Sequence, residues 1–220
     1  MPTSLVTGAN RGIGLELVRQ LKGLGHRVYA VCRQSSAELT AEAVDVLDGI
    51  DVSTDRGHEQ LRSQTSHTAL DWVIANAGIL HHDTLKALDF TAVRQQFEVN
   101  ALGALRTIHA VLPRLREGSK IALITSRMGS IEDNSSGNYY GYRMSKAALN
   151  AAGKSLAHDL RARGIAVAIL HPGYVRTEMT ALQGGVDPST AVAQLLERIE
   201  DLRLETSGTF WHANGEVLPW

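Results

Sequence analysis

The chain of 220 residues contains a single cysteine, Cys32. No intrachain disulfide can form, and such usage fits a reducing compartment. The start, Met1-Pro2-Thr3-Ser4-Leu5-Val6-Thr7-Gly8, lacks the basic residues and apolar stretch of a secretory leader. No apolar run approaches the roughly 20 residues that span a bilayer. Charge of one sign is not in excess either: Lys plus Arg number 22, Asp plus Glu 23, and the net charge is −1. A nonspecific binder of nucleic acid or of an anionic membrane is normally more basic. These absences predict a cytoplasmic protein without a nucleic-acid or membrane partner. There is also no 20–50-residue repeat, low-complexity tract or Pro/Gly/Ser linker, so one domain over 1–220 is expected.

Two kinds of reaction centre are missing too. Gly-x-Ser-x-Gly is absent, which argues against a hydrolase with a nucleophile elbow. The nine histidines show no His-Glu-x-x-His or clustered His/Cys spacing, and the adjacent His81-His82 are badly placed to share one ion. No metal centre is expected.

What is present is an ordinary core-forming share of hydrophobic residues, 44%. Short apolar runs at 4–7, 27–32, 44–50, 72–75, 120–125, 165–170 and 209–211 read as strands. Several are continuous rather than alternating, as in parallel strands covered on both faces. Helical periodicity falls between them, at 12–24, 92–116, 142–162 and 189–201. In 92–116 the stripe is Val93, Phe97, Ala101, Ala104, Ile108, Val111 and Leu115, and Pro113 should kink or end it. The alternation predicts a Rossmann-type, doubly wound α/β fold. Its seven-stranded, mostly parallel sheet would carry helices on both faces in a three-layer sandwich. Ligands of such folds bind beyond the carboxyl ends of the strands.

The first strand runs into Thr7-Gly8-Ala9-Asn10-Arg11-Gly12-Ile13-Gly14, and a helix begins at once. Gly8 permits a tight turn, Gly12 lets a phosphate approach the backbone, and Gly14 lets the helix pack on the sheet. The helix N-terminus then offers N–H groups to a pyrophosphate. No Gly-Lys-Ser/Thr follows this loop, so it is not a P-loop. An NAD site usually ends its second strand with Asp or Glu. Here positions 28–37 hold no acid, Arg33 stands in that place, and Arg11 lies in the glycine loop. Two guanidiniums converging on the ribose suit a 2′-phosphate, so the expected cofactor is NADP(H). Asp51-Val52, after the third strand, would lie near the adenine. Asp51 also reads as a helix cap or loop acid.

Tyr142 and Lys146 are four apart at the head of the 142–162 helix and share a face. Among the five tyrosines only Tyr142 has lysine four residues on. A nearby ammonium lowers the phenol pKa and fits it for acid–base work. Ser126 ends the fifth strand and could hydrogen-bond a substrate oxygen. Asn100 interrupts the apolar face of 92–116.

These residues resemble the short-chain dehydrogenase/reductase family. The ordered set is Thr7-Gly8-x-x-x-Gly12-x-Gly14, Asp51-Val52, Asn76-Ala77-Gly78, Asn100, Ser126, Tyr142-x-x-x-Lys146, then Pro172-Gly173 with Thr177. The ending, Gly215-Glu216-Val217-Leu218-Pro219-Trp220, is similar to the C-factor-like and insect carbonyl-reductase-like branch. The resemblance implies Tyr142 as general acid/base and Lys146 as the group that lowers its pKa and holds the nicotinamide ribose. Ser126 would polarise the carbonyl, and Asn100 would help anchor a water linked to Lys146. Asn76, Ala77 and Gly78 would line the adenosine side, with Pro172, Gly173, Val175 and Thr177 toward the carboxamide.

Ala75 stands where the family often has a second Asn, and Ser126 and Tyr142 lie 16 apart, wider than is common. Ser130 is the fallback serine. The extra residues around 134–138 should form a loop by the site. The segment between Thr177 and Pro188 is short, so an open substrate pocket is expected, with Met128, Tyr139, Tyr174 and Leu182 lining it. The expected activity is reduction of a carbonyl by NADPH, on a small carbonyl or alcohol substrate, in a homo-oligomer (dimer or tetramer). An NADP-linked alcohol dehydrogenase and a dinucleotide-binding signalling protein with incidental reductase activity remain open.

Overall fold

The computed structural model describes residues 1–220. Its strands are β1 (Thr3–Thr7), β2 (Arg27–Val31), β3 (Asp45–Leu47), β4 (Leu70–Ala75), β5 (Leu115–Ile124), β6 (Ala166–His171) and β7 (Phe210–His212). They form one sheet in the order β3-β2-β1-β4-β5-β6-β7. Every pairing is parallel. The helices are α1 (Gly12–Gly23), α2 (Ala37–Ala41), α3 (Asp55–Gln64), α4 (Phe90–Phe97), α5 (Gly103–Val111), α6 (Tyr140–Leu160) and α7 (Pro188–Glu200).

Successive strand residues point to opposite faces, so a strand covered on both sides must be apolar at every position. The two cores show this residue by residue. Val6, Ala30, Ile74, Ala122 and Ala168 face α1 and α7, where Leu17, Leu21, Val192 and Leu195 pack. Their chain neighbours Leu5, Tyr29, Val73, Ile121 and Val167 face the other way, against Leu61 of α3, Ile108 of α5 and Leu149 of α6. The family of continuous apolar runs is thus explained by two layers of helices. No helix is long and apolar enough to cross a membrane.

The expected helix over 92–116 is not continuous. After α4 comes one π-helical turn, Glu98–Leu102, then α5, then a 3-10 turn at Leu112–Arg114. The wide turn inserts an extra residue and rotates the apolar stripe. Pro113 ends the run as expected, and Leu115 belongs to β5 rather than to the helix. The third strand is shorter than 44–50. Gly49, in the left-handed region at φ +76°, turns the chain soon after it. The polar helices α2 and α3 carry too few buried residues for periodicity to single them out. Each is capped by a side-chain hydroxyl, Ser36 accepting from Leu39 N at 3.1 Å and Thr54 from Gly57 N at 3.0 Å.

Candidate active site

The strand order reverses between β1 and β4, and a cleft opens there at the carboxyl edge of the sheet. Its volume is about 620 Å³. The lining gathers Gly8, Asn10, Arg11, Gly12, Ile13, Gly14, Arg33, Asp51, Val52, Asn76, Ala77, Gly78, Tyr142, Lys146, Pro172 and Thr177. Residues spread over most of the chain therefore meet in one cavity.

The glycine loop is packed as tightly as its sequence suggests. A Cβ on Gly14 would sit 2.0 Å from the Gly8 carbonyl oxygen. Gly8 has φ +65°, and a Cβ there would lie 2.9 Å from Ala77 Cα. Thr7 Oγ1 accepts from Asn76 N and Ala77 N, both at 3.1 Å. Asn76 Nδ2 donates back to the Thr7 carbonyl at 3.0 Å. The ends of β1 and β4 are thereby locked together. Arg11 caps α1 without any side-chain hydrogen bond, so the first N–H groups of that helix face the cleft unclaimed. A cradle of this form, with no room for side chains and with free donors, fits a pyrophosphate.

At the other end of the loop the two arginines behave differently. Arg33 is exposed and makes no ion pair. Arg11 is held by the carboxylate of Glu178 across the cleft. The expected convergence of two free guanidiniums is therefore replaced by one free and one paired. Asp51 lines the cleft, but its Oδ1 accepts from Ser53 N at 2.9 Å and Ser53 Oγ at 2.7 Å, a turn that leads into α3.

Tyr142 lies in the first turn of α6 and Lys146 one turn on, both buried. Lys146 Nζ donates to the Ile124 carbonyl at 2.9 Å and stands 5.7 Å from the Tyr142 ring centroid. Burial lowers its ammonium to about 8. Burial also pushes the Tyr142 phenol up to about 12, with the neighbouring Ser126 hydroxyl acting against the rise. The expected lowering by Lys146 is not what this site shows: burial sets the direction of the shift, and the group opposing it is Ser126. Ser126 closes β5 and its hydroxyl accepts from Met128 N at 3.2 Å, which starts a 3-10 turn. Ser130 is committed elsewhere: its hydroxyl donates to the Trp220 carbonyl at 3.1 Å and accepts from Asp133 N at 3.0 Å. The serine at the phenol is Ser126.

Asn100 sits in the π-helical turn and is fully buried. Its Oδ1 accepts from Ile79 N at 2.8 Å. Its Nδ2 donates to the Ile79 carbonyl and to Ser145 Oγ, both at 2.9 Å. The side-chain amide ties the segment after Gly78 to α6.

Gly173 and Val175 do not line the cavity. Gly173, at φ +89°, turns the chain after β6, and Val175 is buried and bridged to Val186. Tyr174 and Leu182 are largely exposed, and Met179 enters the lining rather than the four residues expected at a substrate pocket. Glu178, Gln34, Ile79 and Val99 also line it and carry no local signal. Nearby, His171 ends β6 and is driven down to about 3 by burial, with His212, Arg127 and Lys146 adding.

Fold and site together place the chain among α/β oxidoreductases that work with a nicotinamide dinucleotide at the carboxyl edge of a parallel sheet. More narrowly, it belongs to the short chain dehydrogenase family, whose model matches residues 2–184. It is 42% identical, over the full length of both chains, to a 1-hydroxy-2-glutathionyl-2-methyl-3-butene dehydrogenase of Rhodococcus sp. strain AD45. It is 41% identical to the C-signal of Myxococcus xanthus over 69% of this chain and 93% of that one. Among solved structures, the NADPH-bound carbonyl reductase from chicken fatty liver superposes with a TM-score of 0.91 at 28% identity, covering 100% of this chain and 99% of that one. The carbonyl reductase Sniffer of D. melanogaster gives 0.92 at 29% identity, covering both chains completely.

Proposed function

We propose that the protein is an NADPH-dependent carbonyl reductase, in which residues 1–220 act as one cofactor-binding unit. The observation that carries this reading is the buried Tyr142 phenol beside the Ser126 hydroxyl, with Lys146 one turn away, at the edge of the dinucleotide-shaped cleft. When bound, the cofactor supplies the hydride that reduces the carbonyl carbon. Asn10, Gly12, Ile13 and Gly14 would hold its pyrophosphate on backbone N–H groups. Asp51, Val52, Asn76, Ala77 and Gly78 would line the adenosine, and Pro172 and Thr177 would shape the nicotinamide end, on the turn that Gly173 makes after β6. Arg33, free of any protein partner, would meet the 2′-phosphate. The likeness to an NADPH-bound reductase supports that choice.

Tyr142 donates its proton to the oxygen as negative charge develops there. A phenol near 12 is fully protonated at neutral pH, and an alkoxide is a far stronger base, so the transfer runs toward the substrate. Ser126 hydrogen-bonds the same oxygen. The Lys146 ammonium stabilises the phenolate left behind. The exposed Leu102 and Leu105, beside the half-buried outer faces of α4 and α5, support a homodimer, and the single cysteine fits a cytoplasmic setting.

The test follows NADPH consumption at 340 nm over a panel of aldehydes, ketones and quinones, with NADPH and NADH binding compared by tryptophan fluorescence. Turnover with NADPH preference, lost in Tyr142→Phe while NADPH still binds, is expected. Full activity in Tyr142→Phe overturns the assignment. A second reading, oxidation of an alcohol, is favoured by the full-length similarity to a dehydrogenase of a glutathionyl alcohol. Turnover of such an alcohol with NADP+, and none on the carbonyl panel, would decide for it.

A further inference from the structure

The helix that carries Tyr142 begins badly by itself. Its N-cap is Tyr139, whose backbone is left-handed (φ 52°, ψ 40°) and whose side chain makes no cap bond. Asn138 before it is also left-handed, at φ 54°. A helix normally starts from an extended residue whose side-chain oxygen accepts from the first turn. Two consecutive non-glycine residues in this region need outside support.

That support comes from Asp83, 57 residues upstream of Tyr140. Its Oδ1 accepts from Tyr140 N at 2.6 Å and its Oδ2 from Gly141 N at 3.1 Å. Its backbone carbonyl accepts from Tyr139 N at 2.9 Å. Asp83 is 6% exposed and has no cationic partner, so the helix N–H groups are what its carboxylate oxygens meet. Asp83 is itself held in place. The neighbouring His81 N donates to Oε1 of the fully buried Gln96 at 3.0 Å. The His82 ring meets the Tyr139 ring edge-on at 4.6 Å. Gly141 leaves the space that Gln96 fills, since a Cβ there would stand 2.4 Å from Gln96 Nε2. From the other side Arg143 donates to the carbonyls of Gly137 and Asn138 at 3.3 and 3.2 Å.

We infer that Asp83 is a positioning residue for the proposed reaction: it supplies the missing cap of α6, holds the left-handed Asn138–Tyr139 turn, and so seats the Tyr142 phenol against Ser126. It acts through Tyr142 and touches neither substrate nor cofactor in this reading. The inference rests on the reductase proposal only for its kinetic readout.

Asp83→Ala removes both carboxylate bonds, and Asp83→Asn keeps the shape with one acceptor fewer. In Asp83→Ala kcat should fall about tenfold to a hundredfold, the scale of a misplaced acid. The NADPH Kd should stay within about twofold, because the glycine loop and Arg33 lie on other elements. Asp83→Asn should fall in between. A second readout needs no cofactor. In absorbance titration at 295 nm Tyr142 should ionise last in the wild type, near 12, and in Asp83→Ala this late step should move toward 10. Asn138→Gly, which accepts positive φ without strain, should restore several-fold of the lost kcat in the Asp83→Ala background.

If Asp83→Ala does not fold, Asp83→Asn carries the same tests. Unchanged kcat together with an unmoved late phenol overturns the inference. So does a lower kcat with the late phenol unmoved and no rescue by Asn138→Gly. If the wild type reduces no carbonyl, the reductase proposal fails, while the phenol titration still decides the role of Asp83.

Discussion

Replacing Asn100 with alanine separates bracing from chemistry. The amide is fully buried and makes three hydrogen bonds, two to the backbone of Ile79 and one to Ser145 Oγ. Its removal strands Ile79 N and the Ile79 carbonyl. Ser145 loses less, because its hydroxyl still donates to the Tyr142 carbonyl at 2.8 Å. A buried polar group left unsatisfied costs about 1–3 kcal/mol. Ile79 is half-buried, so water reaches it in part and the lower half of that range applies. Two such groups together cost about 3 kcal/mol. In a domain of this size that lowers Tm by about 6–12 °C. Urea unfolding followed by circular dichroism should show the midpoint falling with m unchanged. Asn100→Asp should be no milder, since it sets a second oxygen against the Ile79 carbonyl. An Asn100→Ala protein within about 0.5 kcal/mol of wild type, yet inactive, would refute this reasoning and give Asn100 a role in the chemistry alone.

Other substitutions probe the remaining physics. His171 titrates near 3 in the fold against 6.5 unfolded, so the unfolded chain takes up the proton first, and stability is lost as pH falls from 6.5 toward 3. His171→Gln should remove about 2–3 kcal/mol of the loss between pH 7 and 4.5 in urea titrations, and an equally steep acid limb would count against it. Tyr142 has the opposite sense: its folded value of about 12 lies above the unfolded 10, so stability falls as pH rises past 10. Tyr142→Phe should lose about 1 kcal/mol less than wild type between pH 10 and 11, measured the same way. Gly14→Ala drives a Cβ into the Gly8 carbonyl, and fluorescence titration should show NADPH affinity reduced more than tenfold; wild-type affinity would mean the loop has slack. Arg33→Asp should weaken NADPH far more than NADH, and equal losses would dismiss the 2′-phosphate contact.

Much of this architecture was legible because it is written locally. Leu5 and Val6 face different cores, so the first strand had to be apolar throughout. The glycine loop, Ser126 and the Tyr142/Lys146 pair follow strands or open helices, where the fold puts its ligands. The illegible parts depend on partners far away in the chain. Nothing around Tyr139 announces that its helix is capped by Asp83, and nothing around Arg11 announces Glu178. The π-helical turn keeps a plausible apolar stripe while rotating it. The Tyr142–Lys146 spacing predicts a lowered phenol pKa, but spacing gives proximity and not burial, and burial dominates. The helices α2 and α3 bury few apolar residues, so periodicity missed them although Ser36 and Thr54 were available as caps.

The position of β1 has a consequence for how the chain is made. Its left neighbour β2 follows within a few tens of residues, but on the right Ser4 pairs with Trp72, 68 positions later. At about 5–20 residues per second, a ribosome needs about 3–14 s to deliver that partner. Throughout that interval an apolar strand edge stands open to chaperones or to neighbouring chains. The strand that ends in the glycine loop is thus among the longest waiting in the molecule, and the cleft takes shape only when β4 arrives to close it.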